Sequence, residues 1–381
     1  MDLEFSKEQL EYKTTAIRFA QKELNAEMVQ RDREAIFSRE LWKKCADLGI
    51  QGFAFPARYG GNEADIISTM LLMEGLGYGC KDSGLIFAIN GQMWTVQMPI
   101  LRFGSDAQKD KYLPKLCSGE WIGAHGMTEP GSGSDAFGLS TTARLEGDHY
   151  VLNGTKTFST SAPVADVFIV FATVDKRKGF MGVTGFIVEK GFPGFGVSQE
   201  IGKMGLRTAP MAELILEDCI VPVENRLGKE GNGAAIFDDA IEWERSCILA
   251  SLIGGMERQL ETCIKYANER KQFNKPIGKF QSVANKIVDM KVRLETARLI
   301  LYKVAWMKKA HGKATMDAAI AKLYLSECWV KSCLDAIQIH GGYGYTTEFE
   351  LERDLRDSVA STLYSGTSEI QRNIIARFLG L

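Results

Sequence analysis

Three groups of residues in this chain have the types and spacing to do chemistry. The first is Met127-Thr128-Glu129-Pro130-Gly131-Ser132-Gly133-Ser134-Asp135. Glycines at 131 and 133 let backbone N–H groups come close to a ligand, and the hydroxyls of Thr128 and Ser134 add donors. Taken alone, the run reads equally as a Gly/Ser turn. The second group is Glu242 and Glu244, beside Arg245, in Ile-Glu-Trp-Glu-Arg. A helical carboxylate works as a general base when burial raises its pKa towards neutrality, whereas most helical Glu residues only solvate a face. Two positions apart, these two point to different helix faces, so one role cannot serve both. The third is Arg270-Lys271-Gln272-Phe273. The guanidinium fork suits phosphate oxygens, although a lone Arg ending a helix is usually a partner of the helix dipole.

Other chemistries are disfavoured. The four histidines, His125, His149, His311 and His340, match no metal-ligand spacing, so no metal is expected. Eight cysteines, at 45, 80, 117, 219, 247, 263, 328 and 333, form no C-x-x-C pair and read as reduced core fillers. With 46 Lys plus Arg against 48 Asp plus Glu and no basic run, nothing favours nucleic acid. The N-terminus is charged from Asp2 onward and resembles no secretory signal. No apolar stretch approaches the roughly 20 residues that span a bilayer. A cytoplasmic protein without a membrane partner is expected. No G-x-G-x-x-G follows a strand, which argues against a nicotinamide-binding doubly wound sheet.

The elements that must position these groups fall into three blocks. Residues 1–120 are helical in pattern, with Phe5, Leu10, Ile17, Phe19 and Leu24 at helical spacing. Ser38 is a candidate N-cap for a helix to Leu48, Pro56 and Gly60-Gly61 mark a loop, and an apolar helix spans 65–76. Residues 121–228 read as β structure. Asn153-Gly154 after Tyr150-Val151-Leu152 predicts a type I′ hairpin turn, and strands are expected over 167–174, 185–188 and 213–216. Residues 229–381 return to long helices over 237–270, 280–311 and 314–340, rich in Ala, Leu, Ile and Lys as bundles are.

A resemblance joins these pieces. Leu363-Tyr364-Ser365-Gly366-Thr367-Ser368-Glu369-Ile370-Gln371-Arg372, together with 127–135, resembles the flavin-binding segments of acyl-CoA dehydrogenases. Lys156-Thr157-Phe158-Ser159-Thr160 resembles a second flavin segment, Arg270 to Phe273 the R-x-Q-F run, and Gln338 with Gly341-Gly342 the Q-x-x-G-G stretch. The likeness covers essentially the whole chain. It implies an α+β, acyl-CoA dehydrogenase-like fold with an N-terminal helical domain, a middle β-barrel domain and a C-terminal four-helix bundle. It implies FAD between the β domain and the bundle, in a homotetramer. The implied cofactor contacts are Met127, Thr128, Gly133 and Ser134, then Phe158 on the isoalloxazine and Thr160 at its N5 edge. Arg270, Gln272, Phe273, Gln338, Gly341 and Gly342 would reach a neighbouring subunit's FAD, and Thr367 and Glu369 close the set.

In most of that family a Glu stands where Ser365 stands here, and it removes the substrate's α-proton. Ser365 cannot do so, but its backbone N–H survives any change of side chain as a donor to the thioester oxygen. Glu244 lies in a stretch resembling the alternative-base helix of isovaleryl-type and long-chain members, which implies Glu244 as the base and leaves Glu242 a solvated bystander. Residues 77–88, 243–247, 256–260 and 364–368 are similar to the prolyl-carrier-protein dehydrogenases of pyrrole antibiotic and anatoxin-type pathways. That likeness implies α,β-dehydrogenation of an L-prolyl thioester on an acyl or peptidyl carrier protein. Two other readings stay open: a short branched-chain acyl-CoA dehydrogenase using an electron-transferring flavoprotein, and a flavin monooxygenase or non-catalytic flavin binder. Glu244 favours the dehydrogenases, because a monooxygenase needs no α-carbon base.

Overall fold

The computed structural model describes residues 4–381. Short polar caps start the N-terminal helices where the sequence provides them. Ser6 and Gln9 form a reciprocal capping box at helix Lys7–Glu23, with bonds of 3.2 and 3.0 Å. Ser38 accepts from the Leu41 N–H at 3.2 Å and opens helix Arg39–Asp47. Asp65 accepts from the Ser68 N–H at 2.8 Å and opens helix Ile66–Gly79. This last helix is apolar nearly all round because it is enclosed, lying between Lys7–Glu23 and the C-terminal helix Leu249–Glu269. The second of those contacts is backbone against backbone. A Cβ on Gly77 would sit 1.9 Å from the Ser251 carbonyl oxygen, and one on Gly254 would sit 2.0 Å from that of Glu74. Glycine at both positions therefore locks the N-terminal helices to the C-terminal ones.

The middle of the chain is one eight-stranded mixed sheet. Its strands are β1 Gly123–Gly126, β2 Thr142–Glu146, β3 His149–Thr160, β4 Val167–Thr173, β5 Val183–Glu189, β6 Phe195–Val197, β7 Met211–Pro222 and β8 Arg226–Leu227. The order is β6-β7-β3-β2-β4-β5-β8, with β1 parallel to β4. β4 is buried at every residue, as its unbroken apolar run requires.

The expected hairpin at Asn153-Gly154 is not there. β3 runs straight through it, and the turn lies at Gly147-Asp148, where Glu146 pairs with His149 and Gly147 has φ +60°. Asn153-Gly154 is instead an irregularity in the β3–β7 register. Asn153 bonds Asp218 on β7 at 3.0 and 2.9 Å, and a Cβ on Gly154 would fall 2.4 Å from the Thr141 hydroxyl. The dipeptide that suits a turn also suits a bulge where two chains approach closely. A second register shift, between Lys156 and Ser159, leaves Phe158 at φ +57°.

The C-terminal part is a helical bundle. The expected 237–270 run is two helices, Gly233–Cys247 and Leu249–Glu269, joined end to end at Ile248. Gln281–His311 and Thr315–His340 follow, and Leu351–Ala360 and Ser368–Phe378 pack on the latter. All eight cysteines are buried and unpaired.

Candidate active site

Glu244 sits in the last turn of helix Gly233–Cys247, and the packing of that helix decides where its carboxyl points. Trp243 stacks on Trp94, centroids 5.9 Å apart and 7° from parallel. Trp94 lies in a π-helical turn, Met93–Gln97. The Lys308 ammonium lies 4.2 Å over the other side of the Trp243 system and bonds Glu242 at 2.8 Å. Glu242 also accepts from the Ala314 N–H at 3.1 Å and from the Thr315 hydroxyl. The expectation of a solvated Glu242 is thus wrong. It is buried and ties the Glu244 helix to the turn between the two long helices. Burial opposes its charge, but Lys308 and Thr315 carry its carboxyl below the usual range.

Two residues on from Glu242, another face of the helix is turned inward. Glu244 is buried, and its Oε2 accepts from the Ser365 hydroxyl at 2.7 Å. Burial lifts its carboxyl above the ordinary carboxylate range, opposed by the Ser365 bond and by the charges of Arg245 and Lys322. The turn carrying Ser365 is fixed from several sides. Ser365 has φ +55°, its carbonyl accepts from Arg245 Nε at 2.7 Å and from Gln371 Nε2 at 3.2 Å, and the Gly366 carbonyl accepts from Gln371 at 2.8 Å. Thr367 caps helix Ser368–Phe378, receiving the Ile370 N–H at 3.4 Å. The Ser365 N–H has no hydrogen-bond partner among the described residues. A cavity runs alongside, walled by Phe87, Ile248, Leu252, Trp329 and Tyr364. The Phe87 and Tyr364 rings lie 4.8 Å apart.

The sheet contributes a second cluster. Glu129 and Lys156 form a buried pair at 2.8 Å. Glu129 also accepts from the Ser140 and Thr141 N–H groups at 2.6 and 2.9 Å, and Lys156 donates to the Met127 carbonyl at 3.2 Å. The Thr157 N–H bonds the Thr128 carbonyl at 2.8 Å. The loop carrying Met127, Thr128, Gly133 and Ser134 is thereby tied to the strand carrying Phe158 and Thr160. Phe158 is 60% exposed on that edge, and nothing lies within 4 Å of where a Cβ on Gly131 or Gly133 would be.

The third cluster stands on the surface. Lys271–Gln272 pairs with Lys275–Pro276 across a turn in which Phe273 and Asn274 have φ +50° and +63°. Phe273 is 88% exposed. The Arg270 guanidinium lies 5.9 Å from the Tyr343 ring, beside Gly341 and Gly342, at the helix end where Gln338 is also exposed. Glu369 is exposed in the first turn of the last helix. Among the described residues no hydrogen bond, ion pair or ring contact joins Arg270, Gln272 or Phe273 to Glu244.

Two further buried groups, Lys322 by Glu244 and Asp357 on the cavity wall, carry no signal in the sequence. Lys322 is fully buried with an amine that finds no hydrogen-bond partner among the described residues; burial and the charge of Arg245 lower its pKa to about 8, against Glu244. Asp357 lines the cavity and accepts the Leu206 N–H at 2.6 Å, and burial pushes its carboxyl up to about 7.

Helices, mixed sheet and bundle in this order define a family. The chain belongs to the acyl-CoA dehydrogenases: residues 6–120, 124–219 and 231–380 match the family's N-terminal, middle and C-terminal domains. Among its relatives is an L-prolyl-[peptidyl-carrier protein] dehydrogenase from a Serratia species, 43% identical over 100% of this chain and 99% of that one. A short-chain specific acyl-CoA dehydrogenase of Clostridium acetobutylicum is 39% identical over 99% of each. Among solved structures, the prolyl acyl carrier protein oxidase AnaB superposes with a TM-score of 0.98 at 54% identity, covering 99% of this chain and 100% of that one. PigA with FAD and proline gives 0.98 at 43% identity, with all of both chains covered.

Proposed function

We propose that the protein is an FAD-dependent dehydrogenase that introduces a double bond into an L-prolyl group held as a thioester on an acyl or peptidyl carrier protein. The observation that carries this is the pairing of a buried Glu244 with the Ser365 turn, whose N–H is left without a partner. Family membership and the likeness to prolyl-carrier enzymes support it.

The residues present fit FAD. An aromatic held open at Phe158, an uncrowded Gly131–Gly133 loop and hydroxyls at Thr128, Ser134 and Thr160 offer a face for the ring and donors for polar edges. Arg270, Gln272, Phe273, Gln338, Gly341 and Gly342 would meet the cofactor of a second subunit, with Met127, Gly133, Thr367 and Glu369 completing the set. When bound, the flavin supplies a two-electron acceptor for the hydrogen on the β-carbon. The chain's own residues do the rest. The Ser365 N–H donates to the thioester oxygen as negative charge develops there. Glu244 takes the α-proton, for which its raised pKa suits it. Phe87 and Tyr364, packed on each other, would offer an apolar wall beside Ser365 for the prolyl ring. The product is a ring enamine that tautomerises to an imine, and a further round would give a pyrrole. Assembly as a homotetramer in the cytoplasm belongs to the same reading; the exposed Phe273 and Tyr345 support burial against another copy.

Anaerobic mixing with L-prolyl carrier protein and, separately, with isovaleryl-CoA tests it. The prolyl carrier is expected to bleach the flavin far faster. The reverse order would transfer the enzyme to the acyl-CoA reading.

A further inference from the structure

We infer that Ser365 is a positioning residue for Glu244 through its side-chain hydroxyl, so that one residue aims both the base and the oxyanion donor at the thioester. This rests on the reading of Glu244 as the base. Among the described residues the Ser365 hydroxyl, at 2.7 Å, is the only hydrogen-bond donor to the Glu244 carboxyl. The other polar groups facing that carboxyl act otherwise. Arg245, on the same helix, spends its Nε on the Ser365 carbonyl at 2.7 Å. The Lys322 amine, from helix Thr315–His340, has no hydrogen-bond partner among the described residues. Tyr364, next to Ser365, is close enough to feel the charge of Glu244 but has no hydrogen bond to it.

Ser365 itself cannot drift. Its backbone is held in the left-handed region, and Arg245 and Gln371 grip its carbonyl from two different helices. A hydroxyl on so fixed a backbone selects one carboxylate oxygen, Oε2, and leaves Oε1 without a protein partner. Donation to the ionised carboxylate offsets part of its burial cost. Once the α-proton has arrived, the same oxygen can accept from the carboxylic acid, because a hydroxyl serves in either sense. The contact therefore survives both states of the base and keeps its distance from the Ser365 N–H constant.

The test compares anaerobic single-turnover flavin bleaching by prolyl carrier protein across pH in the wild type, Ser365→Ala and Ser365→Gly. Both variants keep the N–H and lose the hydroxyl, but glycine adopts φ +55° without strain while alanine does not. We expect the acid limb of the profile to move to higher pH in both. Below the limb the rate should fall about tenfold, the scale of a lost bond to a charged group, and at high pH the gap should narrow but not close, because the ionised carboxylate is no longer aimed. KM should change little. A limb unmoved in both variants overturns the inference. So does a shift in Ser365→Ala alone, which would report backbone strain. Glu244→Gln is run alongside: bleaching there at the wild-type rate would overturn the base assignment, whereas slow bleaching there with unmoved Ser365 limbs removes only the hydroxyl's role.

Discussion

Around Glu244 the polar groups are held from within the chain. Ser365 bonds the carboxyl, Arg245 and Gln371 bond Ser365, and Glu242 and Lys308 brace the helix from its other face. The rim at Arg270, Phe273 and Gly341-Gly342 is built differently. Phe273 is almost fully exposed, and among the described residues the Gln272 side chain bonds only its neighbour's carbonyl and Arg270 has a ring contact but no ion pair. A buried network with one unsatisfied N–H is the construction of a reaction centre set for its substrate. An exposed aromatic beside a guanidinium without an ion pair and uncrowded glycines is the construction of a surface made for something else to cover. Changes at the first region should therefore strike chemistry or folding, and changes at the second should strike cofactor retention.

Glu244→Gln gives the largest effect. The variant should stay folded and yellow but bleach at least about a hundredfold more slowly, the usual worth of a general base. Stopped-flow absorbance measures this. Glu242→Ala comes next and breaks the comparison along its other axis. Leaving Lys308 buried without its carboxylate should cost about 3 kcal/mol of stability, seen as a lower denaturation midpoint. The protein that remains folded should bleach within about threefold of wild type, since Glu242 faces away from the substrate. Arg270→Ala should weaken FAD retention by about tenfold with little change in bleaching of the loaded enzyme, read by dilution and flavin fluorescence. The smallest effect is in the wild type. Because burial raises Glu244, bleaching should still be rising with pH above the ordinary carboxylate range, where an exposed Glu would already be fully ionised. A flat profile there would mean that the base is solvated.

Local signals carried much of the fold. Ser38 and Asp65 cap the helices expected after them because capping is decided within four residues. The apolar run from Val167 became a doubly buried strand for an equally local reason. Asn153-Gly154 misled because the same dipeptide serves a turn or a bulge, and the choice was made by Asp218 and Thr141, which the local sequence does not reveal. Glu242 misled in the same way, since its partners Lys308 and Thr315 lie on Gln281–His311 and Thr315–His340, more than sixty residues on. At the site, the resemblance implied a base at 244 in place of 365. The bond between those two residues, 121 positions apart, was not legible. Nor was the buried amine of Lys322, which looks like any helical lysine until the helices pack.

Mass spectrometry of L-prolyl carrier protein after incubation with the enzyme tests the central claim most directly. The account predicts loss of two hydrogens from the prolyl group, or four if a pyrrole forms, in the wild type and no loss with Glu244→Gln. An unchanged prolyl carrier, with isovaleryl-CoA turned over efficiently by the same preparation, would contradict it.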